Sequence, residues 1–484
     1  MLDFQRRLKS MDYKDKKRVA CVIPPFYRLI ESKNNRVSPS MHYIAEILYR
    51  RGHEVILING DFAPDDQDYT ERYSMTKNSW LLQERYERGH KSFDTVFHKL
   101  KEFNPDFVFI GAGDVLMPTV ELGSTQSCAY IAKEVKRLWG DKVACIGYGH
   151  LLKHAKTEAL QDLDVMIIGE GEDFAIPIVE DNLRGILPIQ WNNQLNNLPI
   201  LTTEYINHQS KPEDWDYIMS MRGCPKRCTF CYQPSMRGCN VSMMSPERFV
   251  REIRYRIENF HTYGFYFSDM IFLPGAGQRT SEMLRLLIQL KEEYHDFHWW
   301  AEARVDLCVK QNVLEQMKQS GCVHLKFGVE MANQKMLDTV KKGIQLKEVV
   351  DAFRMAAELG IKRTAYVLLG CPGFDDNDYR AMWPFFKELK ADNYVININV
   401  PYVGTELHEQ IKDRLYEFGI YKDGEESYLH TSLVMQDFWG ITDETLDIYF
   451  ALQGEKDDAI VRDYKRKIVD KELFMEQNIV RFST

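Results

Sequence analysis

Short apolar runs recur along this chain, and nearly every one is followed by an amphipathic stretch of helical length. Residues 18–23, 54–58, 106–110, 142–146 and 165–168 read as strands, with helices at 39–51, 92–103 and 124–139 and a short one near 156–161. A strand that is apolar throughout is buried on both faces, which calls for a parallel sheet covered by helices on either side. Five such strands predict a doubly wound, flavodoxin-like α/β domain over 17–175, with its ligands beyond the carboxyl ends of the strands. Those ends fall at 24–36, 59–62, 111–117, 147–154 and 169–172, and they are rich in Gly, Asn and Asp. Residues 176–216 contain Pro188, Pro199, Pro212 and the pairs Asn192-Asn193 and Asn196-Asn197, and read as a linker. From residue 217 the alternation resumes. Strands are predicted at 264–273, 297–301, 323–329, 362–369 and 394–399, with helices at 246–260, 281–294, 310–320, 345–359 and 376–389. With the leading 217–221 strand this makes about six βα units, fewer than a closed eight-fold barrel needs. The flanks are a polar tail, 1–16, and a mostly helical region, 408–484, with aromatics such as Phe438, Trp439, Tyr449 and Phe450 that suit a cap over the barrel mouth or a packing subdomain.

The overall balance narrows the partners. A net charge of −9 argues against broad nucleic-acid or anionic-membrane binding. No run reaches the length of a membrane span, and the first residues lack the apolar core of a signal peptide. The chain is therefore expected in the cytoplasm, with its 10 cysteines reduced or bound to metal rather than paired as disulfides.

Three of those cysteines stand together in MRGCPKRCTFCYQPSMR: Cys224, Cys228 and Cys231, spaced C-x3-C-x2-C. A closed structural zinc site wants four ligands, usually as two separated pairs, whereas three ligands on a four-iron cluster leave one iron open. C-x3-C-x-aromatic-C, with Phe230 before the last cysteine, resembles the signature of the radical S-adenosylmethionine (SAM) enzymes. The resemblance implies a 4Fe–4S cluster on Cys224, Cys228 and Cys231. The open iron would chelate SAM, and an external electron donor of the flavodoxin or ferredoxin type would reduce the cluster. The incomplete barrel at 217–407 is then the six-unit (β/α) barrel of that family's core.

By the same resemblance Phe230, Asp269, Glu302, Arg304, Glu330 and Gly370 would contact SAM. Asp269, in Phe267-Ser268-Asp269, suits the SAM ammonium or a turn of its own chain. Arg304 suits a bidentate clamp on the SAM carboxylate or an internal ion pair with Glu302 or Asp306. Glu330, in Gly328-Val329-Glu330 with Lys341-Lys342-Gly343 following, suits the ribose hydroxyls. Gly370, in Gly370-Cys371-Pro372-Gly373, marks a turn beside the adenine. Cys239, Cys308, Cys322 and Cys371 complete no C-x2-C pair, so a second cluster is not expected.

The N-terminal block also resembles a family module. The stretch after the first strand, the Gly147–Gly149 turn and Ile167–Glu172 (IIGEGE) are similar to the cobalamin-binding domain of cobalamin-dependent radical SAM proteins. That likeness implies cobalamin contacts at Asn35, Arg36, Gly111, Gly147, Gly149, Gly169 and Glu170. None of the 13 histidines lies in a D-x-H-x-x-G motif, so the lower cobalt position would lack that histidine; His150 and His154 read as solvated loop residues. The family resemblance implies methylation of an unactivated carbon of a small molecule, through a 5′-deoxyadenosyl radical and methylcobalamin. Two alternatives stay open: a ring-forming or rearranging enzyme like the anaerobic magnesium-protoporphyrin ester cyclase, and a methylthiotransferase drawing on Cys21, Cys128 and Cys145.

Overall fold

The computed structural model describes residues 16–30, 37–62, 79–113, 125–154, 160–206, 216–275, 277–310, 312–418 and 435–453. It divides into two compact units, one of Met1–Asn192, Asn197–Ser210 and Asp463–Thr484, the other of Asn193–Asn196 and Lys211–Arg462.

The first unit holds β1 (Arg18–Ile23), β2 (Glu54–Asn59), β3 (Phe107–Gly111), β4 (Ala144–Tyr148), β5 (Val165–Ile167) and β6 (Gly185–Ile186). They form one parallel sheet in the order β2-β1-β3-β4-β5-β6. The first five strands run in the flavodoxin-like order, whose switch point lies between β1 and β3. β1, β3 and β4 are buried almost without exception, as their uninterrupted apolar runs require. Helix Pro39–Arg51 begins with Pro at its first turn, where the missing N–H costs nothing, and ends on Gly52 at φ 103°.

Part of the stretch expected as a linker has structure of its own. Helix Glu172–Glu180 runs through Pro177, and β6 adds an edge strand. Farther on, Leu57 N–H donates to the Tyr205 carbonyl at 2.8 Å. The fully buried Glu46 accepts from Thr202 N (2.7 Å), Thr202 Oγ1 (2.9 Å) and the Tyr205 hydroxyl (2.7 Å). The chain is thereby fastened to the sheet edge before it leaves for the second unit.

The second unit holds β7 (Asp216–Ile218), β8 (Met221–Arg222), β9 (Ser242–Met243), β10 (Gly264–Phe267), β11 (His298–Ala303), β12 (Cys322–Glu330), β13 (Lys362–Leu369) and β14 (Asn393–Ile398). Six of these make a parallel sheet in the order β14-β13-β12-β11-β10-β7, the partial (β/α) barrel, while β8 and β9 pair antiparallel. β12 is not apolar throughout: buried Leu325, Phe327 and Val329 alternate with partly exposed His324, Lys326, Gly328 and Glu330. One face therefore packs under helices, as the Phe327–Phe353 ring pair at 5.1 Å shows, and the other is polar. Helix Pro246–Phe260 starts at Ser245, whose Oγ accepts from Arg248 N at 3.2 Å. Of the C-terminal region, helix Glu406–Glu417 is described and, after it, helices Gln436–Trp439 and Asp443–Leu452. They attach through Trp439 Nε1 to the Asn399 carbonyl (2.7 Å), Trp383 Nε1 to the Ile448 carbonyl (3.0 Å) and the Tyr449 hydroxyl to the Tyr379 carbonyl (2.7 Å). Among the described residues no helix is long and apolar enough to cross a membrane.

Candidate functional site

The cysteine loop leaves the barrel at the carboxyl end of β7. Its base is closed by the β8–β9 pair, Met221 against Met243 and Arg222 against Ser242. Gly223 turns the chain at φ 88°, and a Cβ there would strike the Asn240 carbonyl oxygen, so only glycine fits. Inside the loop Cys231 N donates to the Cys228 carbonyl at 3.1 Å. Thr229 between them is held from two sides: its N–H donates to the Val340 carbonyl (3.0 Å) and its carbonyl accepts from Leu407 N (2.9 Å). Lys226 reaches Asp306 at 3.5 Å, and the Cys239 thiol lies 3.7 Å from the Lys226 carbonyl. Beside the loop is a cavity of about 370 Å³ lined by Arg227, Cys228, Cys231, Cys239, Thr405 and Glu406, among others.

The three thiols share one electrostatic neighbourhood. Burial pushes all three up, Cys231 to about 12, while the positive charge of Lys342 opposes that rise at each of them and Arg304 opposes it at Cys224 and Cys228. A neighbouring cation favours the thiolate, the form in which cysteine binds metal. Among the described residues no three His, Cys, Asp or Glu side chains converge at the spacing of a single metal ion. A lone zinc needs four converging ligands, whereas an iron–sulfur cube takes its thiolates at separate corners. The donor set fits the cluster.

Asp269 is 1 % exposed, and both its oxygens are spent on the chain. Oδ1 accepts from Ser220 N (2.7 Å) and Met221 N (2.8 Å), and Oδ2 from Ser220 Oγ (2.5 Å). Burial lifts its carboxyl to about 6 against the pull of these hydrogen bonds. Asp269 thus pins the two residues that lead into the cysteine loop. Arg304 is committed as well, to Asp306 (2.8 Å) and to the carbonyls of Lys342 (3.1 Å) and Gly343 (3.0 Å). Of the two jobs that suit it, the internal ion pair is the one formed.

Glu330 ends β12 at φ 64°, which turns its side chain at the strand end, and its Oε1 accepts from Lys342 Nζ at 2.6 Å. Glu302 lies on the polar face of the barrel. Its Oε1 accepts from the hydroxyls of Tyr366 (3.0 Å) and Tyr266 (3.4 Å), and burial raises its carboxyl. The same layer continues sideways. Tyr266 stacks on Trp300 at 3.6 Å, the Lys326 ammonium sits 4.1 Å above Trp300, and His324 contacts Thr364 at 2.8 Å. The sequence reading missed this layer, although the alternation His324, Lys326, Gly328, Glu330 announces it. Gly370 takes φ 102° and lies against Trp439, which a Cβ would strike at 2.7 Å. Phe230 is partly exposed on the loop.

In the first unit Ile23, Ser38, Ser40, Met41, Gly111 and Tyr148 line a small cleft with Gly113 at the switch point. Gly149 (φ 149°) has no room for a side chain, since a Cβ would meet the Ala112 carbonyl; a Cβ on Gly147 would meet Leu163 at 2.6 Å. Gly169 and Glu170 hold a neighbouring segment: Glu170 N donates to the Gln190 carbonyl (3.1 Å) and Glu170 Oε2 accepts from Asn192 N (2.6 Å). His150 is buried against Gly113 rather than solvated, because the strand-end turn folds it inward. Asn35 and Arg36 lie outside the described residues, and nothing is described of the His154 side chain. Gly147, Gly149 and Gly169 are thus required by packing within the unit, while the cleft at Gly111 and Gly113 lies at the switch point, where doubly wound folds take their ligands.

Residues 218–382 match the model of the Radical SAM superfamily, and this stretch is a radical SAM domain. An uncharacterized methyltransferase of Pyrococcus horikoshii is 25 % identical over 343 residues, 66 % of this chain and 72 % of its own. The anaerobic magnesium-protoporphyrin IX monomethyl ester cyclase of Cereibacter sphaeroides is 23 % identical over 429 residues, 79 % of this chain and 63 % of its own. Among solved structures, the radical S-adenosylmethionine methyltransferase TsrM from Kitasatospora setae, with cobalamin and a 4Fe–4S cluster bound, superimposes with a TM-score of 0.61. It covers 83 % of this chain and 79 % of its own at 15 % identity, a likeness of fold.

Proposed function

We propose that this protein is a cobalamin-dependent radical SAM enzyme that methylates an unactivated carbon of a small molecule. The observation that carries the reading is the cysteine loop: three thiols, matched within a radical SAM domain, at the carboxyl end of the first strand of a six-stranded parallel barrel. When bound, the cluster and SAM supply a one-electron cleavage that yields a hydrogen-abstracting radical, and cobalamin supplies a carried methyl group. The chain's own residues do the rest. Cys224, Cys228 and Cys231 hold the cluster. Asp269 fixes the entry to the loop, and Thr229, through the Val340 and Leu407 backbones, fixes its middle. Glu330 and Glu302 present carboxylate oxygens at the strand ends and on the polar face, where hydroxyl or ammonium donors of SAM or substrate are received. Gly370, with Trp439 against it, shapes the turn at the end of β13. The glycine edge of the first unit, Gly111, Gly147 and Gly149, receives the cobalamin, with Asn35, Arg36, Gly169 and Glu170 assigned to the same module. A low-potential one-electron donor of the flavodoxin or ferredoxin type supplies the electron.

The cyclase relative spans 79 % of this chain, so ring formation without methyl gain is the second reading. The methylthiotransferase alternative would need Cys21, Cys128 and Cys145 as cluster ligands, and all three are fully buried in the core of the first unit, with the Cys128 and Cys145 thiols donating to the Ile110 and Ala132 carbonyls.

The test is anaerobic reconstitution with iron, sulfide and cobalamin, then incubation with SAM and dithionite. Four irons per chain, a cobalamin spectrum that survives gel filtration, and 5′-deoxyadenosine together with S-adenosylhomocysteine support methyl transfer. 5′-Deoxyadenosine without S-adenosylhomocysteine favours the cyclase class. A Cys224→Ala variant that still binds four irons and cleaves SAM refutes the assignment of the loop.

A further inference from the structure

Lys342 and Glu330 form a buried ion pair beside the cysteine loop. Lys342 is 8 % exposed, a rare state for a lysine unless it is paired. Its Nζ lies 2.6 Å from Glu330 Oε1, and the two heads meet over Gly328. An ideal Cβ on Gly328 would lie 2.6 Å from both atoms, so the glycine is the seat of the pair. The backbone beneath is locked from several directions. Arg304 donates to the carbonyls of Lys342 and Gly343, and Lys342 N donates to the Leu337 carbonyl at 2.9 Å. The same turn receives Thr229 N of the cysteine loop at Val340. The lysine is therefore fixed, by backbone, to the loop that carries the thiols.

A buried ion pair is weak as a stability device, since desolvation offsets most of its attraction. Its position gives it another use. The turn that carries Lys342 meets the cysteine loop at Thr229, between Cys228 and Cys231, through the Val340 carbonyl at 3.0 Å, so the ammonium and the thiols belong to adjoining segments of one site. Arg304 is largely answered by Asp306, and Lys226 also leans on Asp306.

Resting on the reading that Cys224, Cys228 and Cys231 hold an iron–sulfur cluster, we propose that Lys342, seated on Gly328 and oriented by Glu330, is the positioning residue whose fixed charge sets how readily that cluster takes up its electron. An external one-electron donor is oxidised by one electron and the cluster is reduced by one, so the site becomes more negative by one charge. A cation held nearby stabilises the reduced state, and the Glu330 carboxylate opposes it. Neither side chain gains or loses a bond.

The experiment is a potentiometric titration with dithionite, read by electron paramagnetic resonance of the reduced cluster without SAM. It uses the full-length reconstituted protein and its Lys342→Met, Lys342→Arg and Glu330→Gln variants. At a fixed solution potential near the wild-type midpoint, K342M is expected to hold about tenfold less reduced cluster relative to oxidised, a displacement of about 59 mV for one electron. K342R should restore the wild-type ratio, and E330Q should move the ratio the other way. Superimposable K342M and wild-type titrations overturn the proposal. If K342M does not fold or loads no iron, the E330Q curve decides: a ratio unchanged or lowered overturns the proposal. A wild-type protein that takes up no cluster refutes the cysteine assignment instead, an outcome separate from these.

Discussion

Asp269 gives the sharpest discrimination between a scaffold and a ligand-binding carboxylate. Its oxygens accept from two backbone N–H groups, Ser220 and Met221, and from Ser220 Oγ, all buried. Asp269→Ala strands both N–H groups. A buried donor left without a partner costs about 1–3 kcal/mol, so the pair costs roughly 2–6 kcal/mol. For a unit of this size that lowers the unfolding midpoint by roughly 5–20 °C. Asp269→Asn keeps Oδ1 for the two N–H groups, and its amide can donate to Ser220 Oγ, so it should stay within about 1 kcal/mol of wild type. The assays are thermal unfolding and iron content after reconstitution. D269A should unfold early and load iron poorly, because the residues leading into Cys224 lose their anchor. D269N should match wild type in both and bind SAM normally. If D269N keeps its stability and iron but loses SAM binding by tenfold or more, the carboxylate meets the SAM ammonium and the scaffold argument is wrong.

Three further outcomes follow from individual contacts. Gly328→Ala places a methyl 2.6 Å from Glu330 Oε1 and Lys342 Nζ. Both atoms are the ends of flexible side chains that can yield, so the cost falls at the low end of about 1–3 kcal/mol, seen in chemical denaturation, and comes with a displaced ion pair. Glu46→Ala leaves Arg50, Thr202 and Tyr205 without their shared buried acceptor. A loss of about 3–5 kcal/mol is expected, and Thr202–Tyr205 should become open to limited proteolysis. Asp61 is buried, with Oδ1 accepting from Phe26 N (2.7 Å) and Arg28 N (3.1 Å), Oδ2 without a partner among the described residues, and a carboxyl raised by burial to about 7. Because the folded carboxyl binds its proton more readily than the unfolded one, its contribution is full below about pH 4 and is lost as pH rises through 7. Asp61→Asn should therefore raise the unfolding midpoint relative to wild type at pH 8, and the gain should shrink by pH 5.5; a gain that grows on acidification refutes the assignment.

The strands and helices were legible because each is a local pattern. β1, β13 and the helix Asp376–Leu389 begin and end where the sequence predicts, the helix in spite of Pro384, since Asp375 and Asp378 cap its start reciprocally. Long-range polar partners were not legible. Glu46 reads as one more surface acid of an amphipathic helix, and nothing local announces Thr202, 156 residues away. The part of the expected linker around Thr202 was misjudged for that reason: its prolines and asparagines mark broken secondary structure and are silent about docking. The polar barrel face failed differently. A strand in a parallel barrel has an inner face as well as a helix-covered one, and in β12 the period-two alternation marks that face, while a strand assignment alone does not say which side is polar.

Hydrogen-bond inventory also redistributes the acids and bases that the motifs nominated. An ionised carboxylate offers about four acceptor sites. Asp269 uses three of them on its own chain and is sealed from solvent. Arg304 spends its guanidinium on Asp306 and two carbonyls. The motif reading left each of these two a choice between SAM and the chain itself, and their geometry here makes them fasteners of the loop and of the Lys342 turn. Glu302 and Glu330 differ: each is bonded through Oε1 among the described contacts, and neither is sealed from solvent. Of the four motif residues, these two glutamates therefore keep acceptor capacity beyond the bonds that hold the scaffold, whereas Asp269 and Arg304 do not.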